Sequence, residues 1–395
     1  MTSQKILIIV ENLPVPFDRR VWMECMTLRE AGYEVSVICP TGRGFTSLYE
    51  ELEGVHIYRH ELPPEISSSL GYLREYSAAL WAEWRLAWKI RRKHGFDLIH
   101  MCNPPDLIFL VAIWFKLLFG TKIIFDHHDL NPELYESKFN KRGIFYYLLK
   151  IAERMTFLVA DTVISTNESY KEVAIKRGHK RPEKIHVVRS GPNVSKFKRV
   201  ERNKDYYHGR KYLVGYMGVM GEFDGVDHLV RAAAEIINER KRTDIQFCFI
   251  GSGPTLESLK QLAIDFDIAD YLEFTGRIPD DELIERLSSC DVCVDPDPLN
   301  PLNDKSTMNK ILEYMALERP IVQYSLLEGR RSAEEASLYA EPNNIQDLAT
   351  KIEDLLADPD ACQRMGEVGR QRMNDVLGWE HQKPRLLAAY ETTLK

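Results

Sequence analysis

Lys310 and Glu313 stand three residues apart in the run KSTMNKILEYMA, with Lys305, Ser306 and Thr307 just ahead of them. The pattern predicts a polar loop that enters a helix. Successive backbone N–H groups at a helix start, reinforced by the helix dipole, form an anion site. Lys310 in the first turn adds a full positive charge. It also opposes the dipole, and so weakens the helix unless an anion is bound there. A carboxylate one turn on, at Glu313, can accept hydrogen bonds from both hydroxyls of a ribose whose diphosphate rests on the helix start. The same spacing equally fits a surface Lys/Glu pair on an ordinary helix.

Three other runs offer reactive side chains. KIIFDHHDLNPELY reads as a strand that delivers Asp126, His127, His128 and Asp129 to a sheet edge. A His/Asp cluster suits a metal, but neighbouring strand residues point to opposite faces, so His127 and His128 rarely share one. ENLPVPFDRRVW follows the first strand. There Arg19 or Arg20 could meet an anion at the helix start, or Asp18 could cap that helix beside solvated arginines. Cys290 and Cys293 form a lone CxxC inside an apolar strand, without the second pair that a zinc site needs, and read as core cysteines.

The elements that must position these residues alternate. KILIIV, EVSVICP, VHIYRH, DLIHM, KIIFDHHD and DTVISTN read as strands separated by helical runs. A second series follows: YLVGYMG, DIQFCFIGSGP, YLEFTG, DVCVDP and PIVQYS. Alternating β and α units predict parallel, doubly wound sheets. The expected organisation is an α/β protein of two Rossmann-like domains facing a cleft: residues 1–199, a polar linker at 200–211, and residues 212–376. A terminal helix over 377–395 is expected to pack back towards the first domain. Ligands of such sheets bind beyond the carboxyl ends of the strands. The residues just after each strand therefore carry the interest.

Bulk properties narrow the classes. A chain of 395 residues exceeds one ordinary core, and 44% apolar with 28% charged residues is ordinary for a globular protein. The first 195 residues hold 26 Lys+Arg against 23 Asp+Glu, net +3; the rest hold 26 against 36, net −10. That balance argues against nucleic acid as a partner. All seven cysteines suit a reducing cytosol. MTSQKILIIV runs straight into a strand, without a signal-peptide pattern. The apolar stretch from Leu107 to Phe119 is too short to span a bilayer and is expected as a buried helix between two strands. SAALWAEWRLAWKIRRK places Trp81, Trp84 and Trp88 on one helix face flanked by cations. That face can pack in the core or lie at a membrane interface.

Taken in order, these landmarks resemble family-4 retaining glycosyltransferases of the GT-B fold, bacterial surface-polysaccharide type. KxxEYMA before RPIVQYS resembles the donor site. GVMGEFDGVDHLVRAA resembles the first glycine-rich loop, FIGSGPTLESLKQLA the glycine-proline loop, and EFTGRIPDDELIERLSSCDV the base-binding loop. The resemblance covers nearly the whole chain. It implies that Glu313 binds ribose, that the backbone at Arg277 faces the base, and that Gly218 and Gly221 let the main chain approach the diphosphate. DxHD followed by xPE resembles the histidine motif of the first domain. It implies catalytic positions at His128 and Asp129, with His128 near the transferred sugar.

Three positions depart from the family pattern: Lys305 stands for an acid, and Val219 and Asp224 stand for two cations. The donor phosphates are therefore expected on Lys305, Lys310, Ser306, Thr307 and backbone amides. Arg19 is the expected cation from the first domain, and Arg330 or Arg331 a further one. The expected reaction is metal-free and cofactor-free transfer from a UDP- or GDP-linked sugar to a saccharide or polyprenyl-linked acceptor. The expected location is cytoplasmic, with peripheral membrane contact left open. Two alternatives stand beside it: a metal-dependent transferase using Asp295 and Asp297, and a non-catalytic scaffold with a decayed donor site.

Overall fold

The computed structural model describes residues 3–61 and 69–395. The chain divides into two units: Met1–Ser190 with Gln382–Lys395, and Gly191–His381.

The first unit is built on eight strands: β1 (Lys5–Val10), β2 (Glu34–Pro40), β3 (Tyr49–Leu52), β4 (Val55–His60), β5 (Leu98–Cys102), β6 (Lys122–His127), β7 (Thr162–Ser165) and β8 (Ile185–Val187). Their order is β3-β4-β2-β1-β5-β6-β7-β8. All pairs are parallel except β3 with β4. The helices are α1 (Arg19–Glu30), α2 (Ser69–Lys93), α3 (Phe109–Phe119), α4 (Asn131–Phe139), α5 (Ile144–Val159) and α6 (Glu168–Lys176). The strand order reverses between β1 and β5. A crevice therefore opens at the carboxyl ends of those strands.

The second unit holds β9 (Tyr212–Met217), β10 (Ile245–Ile250), β11 (Leu272–Gly276), β12 (Val292–Asp295), β13 (Ile321–Tyr324) and β14 (Ser337–Ala340), in the order β11-β10-β9-β12-β13-β14 and wholly parallel. Its helices are α7 (Val226–Ala234), α8 (Leu256–Asp265), α9 (Asp280–Ser289), α10 (Asn309–Ala316), α11 (Leu327–Ala333), α12 (Ile345–Ala357) and α13 (Pro359–Arg372). Both faces of the sheet are buried. Phe247 and Phe249 of β10 enter one core, and Cys248 and Ile250 enter the other. That two-residue alternation, apolar on both sides, is why the strands read as continuous hydrophobic runs. Here the order reverses between β9 and β12.

Two expectations need correction. Residues 200–211 are not a linker, because they pack on α9 within the second unit. Val200 N–H donates to the Ser288 hydroxyl at 3.2 Å, Asn203 N–H to that of Ser289 at 2.9 Å, and buried Tyr207 donates to the Ser289 carbonyl at 2.7 Å. Most of the segment's charged side chains still face solvent, and the division between units falls at Ser190. The terminal helix, α14 (Trp379–Leu394), contributes Gln382–Lys395 to the first unit. There Tyr390 is buried 2.5 Å from His100 Nδ1.

The second correction concerns α3, expected to be buried. Its Val111, Ala112 and Phe115 are inside, but Leu110, Trp114, Leu117 and Leu118 are exposed. An 11-residue helix against one sheet face can bury only about half its circumference. For the tryptophans of α2, two settings were open. Trp84 and Trp88 pack against the core of the first unit, and Trp81 is exposed.

Candidate functional site

In the second unit the switch point gathers the loops after β9 and β12 and the start of α10. Tyr314 holds them together: its hydroxyl accepts from Met217 N–H at 2.8 Å and donates to the Val294 carbonyl at 3.3 Å. The glycine loops are fitted backbone to backbone. A Cβ on Gly251 would lie 1.9 Å from the Gly218 carbonyl oxygen, and one on Gly253 2.3 Å from that of Met220. GSGP is therefore a packing requirement of the Gly218 loop as well as a lead into α8.

Lys310 is buried at the head of α10. Its ammonium donates to Asp295 Oδ1 at 3.1 Å and to Asp297 Oδ2 at 2.7 Å. Burial disfavours that charge, but the two carboxyls outweigh it and hold the lysine pKa well above its ordinary value. Burial and then Asp295 push Asp297 well above the usual carboxylate range. Two expectations change here. Lys310 is not weakening its helix for want of a ligand, because Asp295 and Asp297 supply the anions. The same contact places an ammonium on the acid pair that the metal-dependent alternative would use.

The other predicted residues lie around this cluster. Lys305, Ser306 and Thr307 are half-buried in the segment before α10, and Glu313 is half-buried one turn into it. The Ser306 hydroxyl donates to the Leu302 carbonyl at 2.9 Å. Arg277 is exposed just past β11. Gly221 N–H donates to Asp224 Oδ2 at 2.9 Å, so this side chain already occupies one amide of the first loop. Burial raises the Asp224 pKa. Arg331 pairs with Glu328 at 2.7 Å, and Arg330 donates to the Ser325 hydroxyl at 3.0 Å.

In the first unit the switch point carries a second ionic cluster. Asp18 caps α1 by accepting from Val21 N–H at 3.1 Å. That cap sets the helical phase: Arg19 is exposed and Arg20 is buried. Arg20 is thus the arginine that enters this cluster, while Arg19, the expected donor cation, stays on the surface. Its guanidinium donates to Asp126 Oδ1 at 2.9 Å and Oδ2 at 3.1 Å, to the Val188 carbonyl at 2.9 Å and to the Ser190 hydroxyl at 3.0 Å. Glu24, one turn on along α1, lies 3.2 Å from it.

His128 Nε2 is 2.5 Å from Asp126 Oδ2. The same nitrogen lies 3.0 Å from the Arg20 Nε donor, so Nε2 is held between a guanidinium that donates and a carboxylate that accepts, with Nδ1 as the other ring nitrogen. Asp126 is buried, which disfavours ionisation, yet Arg20 and His128 hold its carboxyl well below the usual range. Burial and the Asp126 charge push Glu24 the other way. His127 points elsewhere, among Phe125, Phe157 and Tyr170, and burial lowers its pKa to about 3.

Asn103, directly after β5, went unnoticed in the sequence. Its Oδ1 accepts from His128 N–H at 2.6 Å and Asp129 N–H at 3.1 Å, and its Nδ2 donates to the Asp129 carbonyl at 2.7 Å. It therefore fixes the turn that carries both predicted catalytic residues. Burial raises the Asp129 carboxyl pKa. Among the described residues, Glu24, Asp126 and His128, or His100, Cys102 and Asp126, stand close enough to ligate one metal. Both groups depend on Asp126, whose two oxygens already accept from Arg20.

Two largely parallel sheets, each with polar residues gathered where its strand order reverses, define a two-domain α/β architecture. Comparison with known proteins identifies the family. The profile "Glycosyltransferase Family 4" matches residues 18–196, and "Glycosyl transferases group 1" matches residues 211–358, most of the chain between them. The chain belongs to the family-4-like glycosyltransferases of the GT-B fold. A 2-deoxystreptamine glucosyltransferase of Streptomyces kanamyceticus is 26% identical over 184 residues, spanning 46% of either chain. The capsular polysaccharide biosynthesis glycosyltransferase CapM of Staphylococcus aureus is 24% identical over 275 residues, 64% of this chain and 67% of that one. Sucrose-phosphate synthase of Thermosynechococcus elongatus shares the fold at a TM-score of 0.82 and 20% identity, covering 98% of each chain. The Anabaena protein HepE in complex with UDP-glucose does so at 0.73 and 15%, covering 99% of this chain and 100% of that one.

Proposed function

We propose that this glycosyltransferase takes its sugar from a UDP- or GDP-linked donor and passes it, with retention of the anomeric configuration and without a metal, to a saccharide acceptor carried on a lipid. Cell-surface polysaccharide is the product class, in keeping with the name of CapM. The observation that carries the donor assignment is the convergence at the β9/β12 switch point. Glycine-fitted loops and the start of α10, the helix that carries Glu313, come together there, and the UDP-glucose complex of HepE shares this fold.

The chemistry divides among the residues as follows. Glu313 accepts from the ribose hydroxyls. Backbone amides at the α10 start, together with Lys305, Ser306 and Thr307, receive the diphosphate and stabilise it as it departs. Lys310 acts from behind, holding the β12 loop through Asp295 and Asp297. His128, anchored through Nε2, offers its other ring nitrogen to a sugar hydroxyl, and Asn103 with Asp126 and Arg20 keeps the ring in place. Asp129 completes the same turn. Rate enhancement then rests on positioning and on preorganised charge.

Glu313→Ala tests the assignment. It removes hydrogen bonds to a charged group, worth about 1.5–3 kcal/mol, so donor Kd should rise about tenfold or more. Calorimetry with UDP, GDP and their sugars reads this directly. Unchanged donor affinity in the variant would sink the ribose role. Failure of the wild type to bind any of them at millimolar concentration would overturn the reading in favour of a decayed scaffold.

A further inference from the structure

The first unit exposes an apolar face that its core does not use. On α5, Tyr146, Phe157 and Val159 are buried, while Ile144, Tyr147, Leu148, Ile151, Met155 and Leu158 are exposed. The spacing of three and four residues puts the exposed set on one stripe. The neighbouring α3 adds Leu110, Trp114, Leu117 and Leu118, with Leu117 74% exposed. Trp81 of α2 closes the band, sharing an open apolar pocket with Leu110 and Trp114. Soluble monomers rarely leave so continuous an apolar surface to water.

Charge brackets this face at both ends of α5. Lys138, Lys141 and Arg142 precede it in sequence. At its far end Leu158 borders a pocket lined by Lys116, Lys122, Lys180, Arg181 and Lys184, with Asp161 as its acidic side chain. A helix of 16 residues is about 24 Å long, so the two basic groups lie about that far apart with the apolar stripe between them. An interfacial helix has this arrangement: apolar side chains below the headgroups, cations level with the phosphates and tryptophan at the margin. Among the described residues no helix is long and apolar enough to cross a membrane.

The geometry points to the α2–α3–α5 face as a docking surface for a bilayer bearing anionic headgroups, with the lysine pocket beyond α5 receiving a lipid phosphate. The inference rests on this face alone and is independent of the donor chemistry.

The test is co-sedimentation of the full chain with vesicles of mixed phosphatidylglycerol and phosphatidylcholine. Wild type should bind. The double variant Leu148→Glu/Ile151→Glu should lose about tenfold or more in vesicle affinity, because charges replace the inserted stripe. Lys122→Glu/Lys184→Glu should weaken binding to the mixed vesicles but not to pure phosphatidylcholine, and added salt should mimic it. Thermal midpoints of the variants check folding, and Leu117→Glu/Leu118→Glu on α3 serves if the α5 variant does not fold. Absence of wild-type binding, or variants that bind as wild type does, would overturn the proposal. So would a dimer without vesicle affinity that the same substitutions dissociate, which would make the face a protein interface.

Discussion

The two units each bury an ionic cluster at the point where their strand order reverses, and the clusters share a plan. In the first, Arg20 faces Asp126 and Glu24; in the second, Lys310 faces Asp295 and Asp297. Each sets one cation against two carboxyls, and in each one carboxyl is pushed well above its ordinary pKa: Glu24 in the first, Asp297 in the second. The difference lies in what else they touch. The lysine cluster is closed, its three side chains 9%, 3% and 2% exposed. The arginine cluster opens outward through His128, 13% exposed and bonded to Asp126. The same charge arithmetic therefore serves two ends: one cluster clamps loops, and the other orients the His128 ring.

The comparison can be broken most forcefully at Lys310. Lys310→Met leaves two buried carboxyls without their cation, which should cost about 3–5 kcal/mol of stability. Adding Asp295→Asn should recover part of it, because one of the uncompensated charges goes. Denaturant midpoints measure both. A lysine that can be removed without loss of stability is not a clamp.

His128→Ala probes the open cluster and should behave oppositely. Transfer should slow by about a hundredfold or more, the scale of a positioned imidazole, while UDP or GDP affinity stays nearly level. Equal losses in rate and in binding would instead make His128 a structural residue. The kcat and the nucleotide Kd, measured on the same preparation, separate the two.

The smallest effect sharpens the donor side. Asp224 sits on the Gly221 amide at 2.9 Å, as a diphosphate oxygen would. Asp224→Ala frees that donor and removes a like charge, so nucleoside diphosphate should bind a few-fold tighter, about the value of one ordinary hydrogen bond. Calorimetry showing weaker binding would mean that the Asp224 contact holds the loop in its binding shape.

Much of this was legible from residue types and spacing. Alternating apolar strands and helical runs fixed two doubly wound sheets, because a strand buried on both faces must be apolar throughout and a helix must return the chain between parallel strands. The order of the motifs located the switch-point loops, the resemblance to the family's histidine motif pointed to His128, and strand alternation argued only against a metal shared with His127. Packing geometry decided the rest. Arg19 and Arg20 are chemically equal in sequence; only the phase set by the Asp18 cap sends Arg20 inward. Lys310 looked like a phosphate ligand because Asp295 and Asp297, more than ten residues away, come within hydrogen-bond reach only after folding. Asn103 carried no signal, since its partners lie 25 and 26 residues further on. The stretch Leu107–Phe119 read as buried because hydropathy counts apolar residues without saying which side of the helix meets the sheet. Local sequence sets what each element is and what chemistry it bears; which charges neutralise one another, and which apolar face is left over, depends on distances that exist only in the tertiary structure.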